Sequence, residues 1–131
     1  MLTFWFAMGD MLMADEEIKK TFYNLEKRQK DFQCSLGFTM TVIGSKWRAI
    51  ILWHILQHPY IRYGGLKQEI PYISDKELAK ELRYLVLDHL IERIQYPVIP
   101  PRVEYVSTPR GESLHHVMEE LCFWGKQFMD I

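Results

Sequence analysis

The sequence predicts a mainly helical α+β fold with one small β-hairpin, and three observations predict it. Apolar residues recur at helical spacing in several segments, Ser74-Asp75-Lys76-Glu77 spells a capped helix start, and two β-prone runs flank a proline-rich link. A chain of 131 residues can bury one hydrophobic core. Its 48% apolar and 25% charged composition is that of a folded domain and excludes wholesale disorder.

The elements follow in order. From Asp15 to about Phe32, Ile18, Phe22, Leu25 and Phe32 recur at steps of 4, 3 and 7, which is one amphipathic helix. The segment from Thr39 to about Gln57 carries Val42, Ile43, Trp47, Ile50, Ile51, Leu52, Trp53, Ile55 and Leu56, apolar over more than one face, and is expected as a single helix in the middle of the core. His58-Pro59 ends it, because the residue before proline is pushed out of the helical region. A short segment, Tyr63 to Ile70, precedes Pro71. Ser74 then opens a helix to about His89 with a capping box, its side chain accepting from the Glu77 N–H while Glu77 reaches back to Ser74. Leu78, Leu82, Leu85 and Val86 share the core face of that helix. Ile91 to Tyr96 and Arg102 to Ser107 read as two short strands joined by Pro97-Val98-Ile99-Pro100-Pro101. Thr108 caps a last helix with Pro109 at its first position and Leu114, Val117, Leu121, Trp124 and Phe128 at 3, 4, 3, 4 spacing.

Several function classes drop out. Sixteen basic against seventeen acidic side chains leave a net charge of −1, so no overall positive field draws in nucleic acid or an anionic membrane, and any such partner must meet a local patch. Two cysteines, Cys34 and Cys122, are too few for a disulfide framework and suit a reducing, cytoplasmic setting. Residues 1–14 form an apolar N-terminal extension that lacks a basic leader and contains Asp10, and Lys46 and Arg48 interrupt the most hydrophobic stretch, so neither a signal peptide nor a membrane span is expected. No glycine-rich phosphate loop or Ser/His/Asp spacing is present, so no catalytic residue and no cofactor is assigned. His54 and His58 have the i, i+4 spacing of a metal pair, and His115 and His116 each have a glutamate four residues on. Without HExxH or CxxC beside them they are read as solvent-facing or core residues, and no metal is assigned.

A short helix turning into a longer one ahead of a β-hairpin is the winged form of helix-turn-helix. On the helix from Ser74, Lys76, Lys80 and Arg83 point away from the leucine face. One reading is a solvated surface, flanked by Glu77, Glu81 and Asp88. The other is a groove-reading face, since a helix in a major groove needs donors for phosphates and base edges on its exposed N-terminal half, and Ser74, Lys76, Lys80 and Arg83 supply them. The hairpin divides in the same way. Prolines at 97, 100 and 101 with Arg93 and Arg102 suit a stiff wing on the sugar-phosphate backbone, or an edge hairpin guarded against aggregation.

Across most of the chain the residues resemble the HxlR-type winged-helix regulators, a branch of the MarR-like proteins. The matching pieces, in order, are Cys34, Gly44-Ser45-Lys46-Trp47, Arg62-Tyr63 before Leu66, Ile70-Pro71, Ile73-Ser74-Asp75-Lys76 before Leu78, Tyr96-Pro97, Pro100-Pro101-Arg102-Val103-Glu104-Tyr105, and Thr108-Pro109 before Gly111. The resemblance implies residues 15–131 as one DNA-binding domain and a homodimer built from its first and last helices, through Ile18, Phe22, Leu25, Leu114, Val117, Leu121, Trp124 and Phe128. It further implies the helix from Ser74 in the major groove and the hairpin, with Pro100 at its tip, as wing. By similarity Arg62, Tyr63 and Lys46 are backbone contacts, although Lys46 beside Trp47 is equally a snorkelling residue. The sequence departs from the pattern at Ser35, Ser45 and His89, where proline, glycine and glycine are expected. His89 must then take a left-handed turn.

Cys34 stands where redox-sensing members of that family carry their reactive cysteine. A thiol near a helix start, with Arg28 and Lys30 one or two turns back, fits such a role, as an inert buried cysteine is the plain alternative. Cys122, among Leu121, Phe123 and Trp124, is expected in the core. Trp47, Trp53, Phe123 and Trp124 are expected to pack in the core rather than frame a small-molecule pocket. The reading reached is a sequence-specific DNA-binding transcriptional regulator, a homodimeric repressor of a pseudo-palindromic operator in double-stranded DNA, responsive through Cys34 to an electrophile or small-molecule inducer. The alternative is a winged-helix module that binds a protein with the same faces, and a steep salt dependence of DNA affinity separates the two.

Overall fold

The computed structural model describes residues 25–130. Ile18, Phe22 and the extension at 1–14 lie outside them. The expected first helix is present in its described part as α1, Leu25–Asp31. Then follow α2, Ser35–Ile43; α3, Arg48–Leu56; α4, Tyr63–Glu69; α5, Asp75–Leu87; strands β1, Ile91–Tyr96, and β2, Arg102–Ser107; α6, Pro109–Glu112; and α7, His115–Lys126. The fold is mainly helical with one antiparallel hairpin, in register from Ile91 opposite Ser107 to Tyr96 opposite Arg102.

The core forms around α3, which packs against α4, α5, α6, α7 and β2. Ile51, Leu52 and Ile55 are fully buried there against Leu66, Leu78, Leu82 and Leu85, with Ile73, Leu90 and Ile91 closing the ends. The leucine face of α5 is thus where helical periodicity puts it. Strand β2 is pinned from its other side, because Ile61 exchanges both backbone hydrogen bonds with Tyr105, at 3.0 and 2.8 Å. This bridge ties the chain just before α4 to the base of the hairpin.

Three expectations need correction. The segment from Thr39 to Gln57 is two helices rather than one, broken between Ile43 and Arg48. A Cβ at Gly44 would collide with the Met40 carbonyl oxygen, so only glycine ends α2 in this way. Ser45 then braces the turn ahead of α3, its Oγ accepting from the Arg48 N–H at 3.1 Å. The last helix is likewise two. Thr108 caps α6 as expected, accepting from the Gly111 N–H at 3.1 Å with Pro109 in the first position, but α6 is one turn long and α7 begins at His115. A Cβ at Gly111 would collide with the Leu90 carbonyl, which fixes the approach of α6 to the start of β1. Finally, Glu81 and Asp88 do not flank the cation stripe in solvent. Both are buried at 5% exposure, each against an arginine that is itself buried, Arg48 for Glu81 and Arg28 for Asp88.

The left-handed turn at His89 is present, with φ of 60°. Thr108 Oγ1 donates to the His89 carbonyl at 2.6 Å and so supports this turn between α5 and β1.

Candidate DNA-reading site

Ser74 accepts from the Glu77 N–H at 3.1 Å, the serine half of the expected box, and starts α5 at Asp75. Ser74, Lys76 and Lys80 are exposed on the side opposite Leu78, Leu82 and Leu85. Arg83, a turn further on, is half-buried and leans toward the hairpin, near the phenol of Tyr105.

The head of α4 is held against the first turn of α5. The Tyr63 hydroxyl donates to the Asp75 carboxylate at 2.9 Å, and burial with this carboxylate pushes the phenol well above its ordinary pKa. Lys67 Nζ donates to the Ile73 carbonyl at 2.6 Å and lies 3.5 Å from Asp75. Arg62, exposed, stands at the residue before α4 beside this junction. A Tyr63→Phe protein is expected to stay folded and to lose about 1 kcal/mol of stability in urea unfolding, the net value of one hydrogen bond to a charged group at a partly exposed site.

The hairpin carries its cations in fixed poses. Arg102 stacks on Tyr96 at 4.3 Å and lies 3.6 Å from Glu104, which also accepts from the Tyr96 hydroxyl and thereby raises that phenol's pKa. Arg93 faces Tyr105 across the strands and donates to Gln95 Oε1 at 3.3 Å. Burial pushes the Tyr105 phenol up against the pull of Arg93. Pro97, Val98, Ile99 and Pro100 are exposed at the tip.

The structure therefore joins Arg62, Tyr63, Ser74, Lys76, Lys80 and Arg83 to the hairpin's base through the Ile61–Tyr105 bridge. Lys46 stands apart, in the break between α2 and α3, with its ammonium 4.9 Å from the Trp47 ring, the snorkelling geometry. The charge is local, as the balanced composition requires. Lys80→Ala is expected to weaken binding to all duplexes alike, read by fluorescence anisotropy. The slope of log affinity against log salt should fall by about 0.9 for each phosphate that the variant leaves unneutralised.

Other candidates settle differently. Cys34 is exposed at the position preceding α2, but Arg28 is not beside it as a free cation, being paired with Asp88 and donating to Thr41. Cys122 is half-buried rather than core, and Phe123 and Trp124 are exposed rather than packed, because α7 meets the core on the face that carries Met118, with Leu114 just before the helix. Trp53 stacks on His115 at 5.4 Å, and His115 lies 3.1 Å from Glu119. His54 and His58 share Glu69, at 3.2 and 2.6 Å. Among the described residues no group of three or more His, Cys, Asp or Glu is arranged to hold a metal ion, and no helix is long and apolar enough to cross a membrane.

A capped, outward-facing helix behind a short positioning helix and ahead of a pinned hairpin defines the winged helix-turn-helix class of DNA-binding transcriptional regulators. The profile of the HxlR-like helix-turn-helix family matches residues 42–131, and the chain belongs to that family. It is 41% identical over 101 residues to YkvN, an HTH-type transcriptional regulator of Bacillus subtilis, covering 77% of this chain and 85% of that one. Among solved structures, it is similar to a MarR-family transcriptional regulator of Porphyromonas gingivalis W83, with a TM-score of 0.71 and 39% identity over 76% of this chain and 96% of the other. It is also similar to the redox regulator HypR in its oxidized form, with a TM-score of 0.70 and 32% identity over 75% of this chain and all of that chain.

Proposed function

We propose that the protein is a homodimeric repressor that reads a pseudo-palindromic operator with two copies of α5, about one helical turn or roughly 34 Å apart, and grips the flanking phosphates with its two hairpins. The observation that carries this reading is the exposed face of α5, with Ser74, Lys76 and Lys80 opposite the leucine core and Arg62 at its side. The chain is mixed in charge, so sequence-independent attraction is weak and base contacts have to supply much of the discrimination. A bound dimer represses by excluding polymerase from the promoter. No catalysis is assigned to it, and both described cysteines are free, which fits work in the reducing cytoplasm.

Residues 15–131 form the DNA-binding domain in this reading and 1–14 an extension. The dimer seam takes Val117, Leu121 and Trp124 of α7 and Phe128 just after it, all exposed in the single chain, together with Leu114, Leu25 and the sequence-predicted Ile18 and Phe22. The inducer is an electrophile or oxidant acting on Cys34, whose thiol is exposed at the α1–α2 junction. The likeness to a redox regulator supports this.

Fluorescence anisotropy on the duplex upstream of its own gene, against a scrambled duplex across a salt series, tests the reading. Tighter binding to the native duplex with a steep salt slope is expected, together with a fall in affinity on diamide treatment that a Cys34→Ser protein does not show. Equal, weak binding to both duplexes, and to duplexes enriched from a random pool, would overturn operator reading. An equal diamide response in Cys34→Ser would remove Cys34 from it.

A further inference from the structure

A helix that reads base edges has to be held within a fraction of an ångström and about 10–20° of its productive pose. The leucine stripe of α5 fixes how deeply the helix sits on the core, but apolar packing is non-directional and leaves roll and tilt weakly determined. Directional contacts lie on one flank. Arg48 Nε donates to Glu81 Oε2 at 2.8 Å, Ser45 Oγ donates to the same oxygen at 3.0 Å, and the Arg48 N–H donates to Ser45 Oγ, closing a ring of hydrogen bonds. The Arg48 guanidinium also lies 4.3 Å from the ring of Tyr84, so one arginine grips α5 at two points a turn apart.

Seven residues beyond Glu81, about 10 Å along the helix axis, Asp88 is paired with Arg28. The two arginines meet at one backbone atom, the Thr41 carbonyl oxygen near the end of α2, to which each donates at 3.2 Å. Arg28 reaches Thr41 Oγ1 as well, at 3.1 Å, and Arg48 the Val42 carbonyl, at 3.3 Å. These carbonyls would otherwise lack partners at a helix terminus. Two anchors so far apart on one rigid helix resist both roll and tilt. None of the four charged side chains exceeds 8% exposure, so none reaches DNA itself.

A buried ion pair is a weak device for stability, since apolar side chains of similar volume serve as well or better. What apolar residues cannot supply is the planar, two-ended geometry of a guanidinium. We propose that Arg48 and Glu81, with Arg28 and Asp88 behind them, are positioning residues that lock the DNA-reading helix α5 to the end of α2 and thereby set sequence discrimination without touching DNA. The proposal rests on the DNA-reading role of α5.

The test compares wild type with the doubly apolar Arg48→Met/Glu81→Leu protein. The probes are a duplex that the wild type enriches from a random pool, and its scrambled version. The ratio of the two affinities is expected to fall at least about tenfold, the discrimination supplied by one misaligned base contact. Affinity for the scrambled duplex and the salt slope should stay unchanged, because every phosphate-binding cation is kept. A merely structural role would leave the ratio alone once the protein is folded. An unchanged ratio, or a parallel drop on both duplexes with a lower salt slope, would overturn the proposal. If circular dichroism shows the double variant unfolded, Ser45→Ala, which removes one directional hydrogen bond to Glu81 and leaves both charges paired, carries the test, with a ratio reduced about threefold expected and an unchanged ratio fatal. A pool from which the wild type enriches no duplex would overturn DNA reading itself, and this proposal with it.

Discussion

Leu121→Glu is expected to convert the protein into a folded monomer that no longer binds its operator tightly. Helix α7, with Leu114 just before it and Phe128 just after it, carries two apolar faces. At about 100° per residue, Leu114, Met118 and Cys122 form one face, and Met118 is buried on the core with Leu114 packed beside it. Val117, Leu121, Trp124 and Phe128 form a second face, roughly a quarter turn away. That second face is 44%, 55%, 65% and 71% exposed in the single chain, and the Trp124 and Phe128 rings lie 4.9 Å apart, tilted by 43°. An apolar stripe of this kind on the surface of a folded domain marks an interaction surface.

Leu121 is 55% exposed on the single chain, so circular dichroism should still report a folded protein, while the unfolding midpoint should lose the dependence on protein concentration that association confers. In a two-fold interface the carboxylate enters twice, near its own copy, where burial without a partner costs several kcal/mol per site. Sedimentation should then give the mass of one chain where the wild type gives two. With only one reading helix per particle, operator affinity should drop by about 10²–10⁴, the factor that linking two sites supplies. A Leu121→Glu protein that sediments as a dimer would place the interface elsewhere.

The parts of this arrangement that depend on neighbouring residues are legible in the sequence. Both strands fall on the residues expected of them, because prolines and β-prone runs act locally, and so do the Ser74 and Thr108 caps. The break at Gly44-Ser45 is hidden because apolar periodicity runs across it unbroken from Val42 to Leu56. The usable signal is a serine three residues before Arg48 directly after a glycine. The ion pairs are illegible for another reason. Charges along a helix invite local pairing at i, i+4, whereas Glu81 and Asp88 find their partners 33 and 60 residues away in sequence. Spacing does place both acids beside the leucine stripe, but only the packing of α1, α2 and α3 on that flank shows what meets them. At the reading face, exposure of Lys76 and Lys80 follows from periodicity, while the half-buried poses of Arg83, Arg93 and Arg102 come from Tyr96, Tyr105 and Glu104 on the hairpin.

Asp88→Ala is expected to be the most damaging single change to stability, at about 3–5 kcal/mol, the usual result of removing one partner from a buried pair. Such a destabilisation is a large fraction of the roughly 5–15 kcal/mol that holds a domain folded. Arg28 would keep its acceptors on Thr41 but retain a buried positive charge with no counter-charge beside it. Asp88 also ends α5 immediately before the left-handed residue His89, so the missing ion pair would weaken a turn that already holds an uncommon backbone conformation. By contrast, Arg28→Met/Asp88→Leu removes both charges together and should cost about 1 kcal/mol or less, as volume-matched apolar replacements do. Urea unfolding at one fixed protein concentration measures both, since any self-association makes the midpoint depend on concentration. A destabilisation below about 1 kcal/mol in Asp88→Ala would show that the guanidinium is reached by water after all. If the single change is severe and the double change mild, stability does not require the pair, and the reason for its presence has to be sought in the direction it imposes on α5.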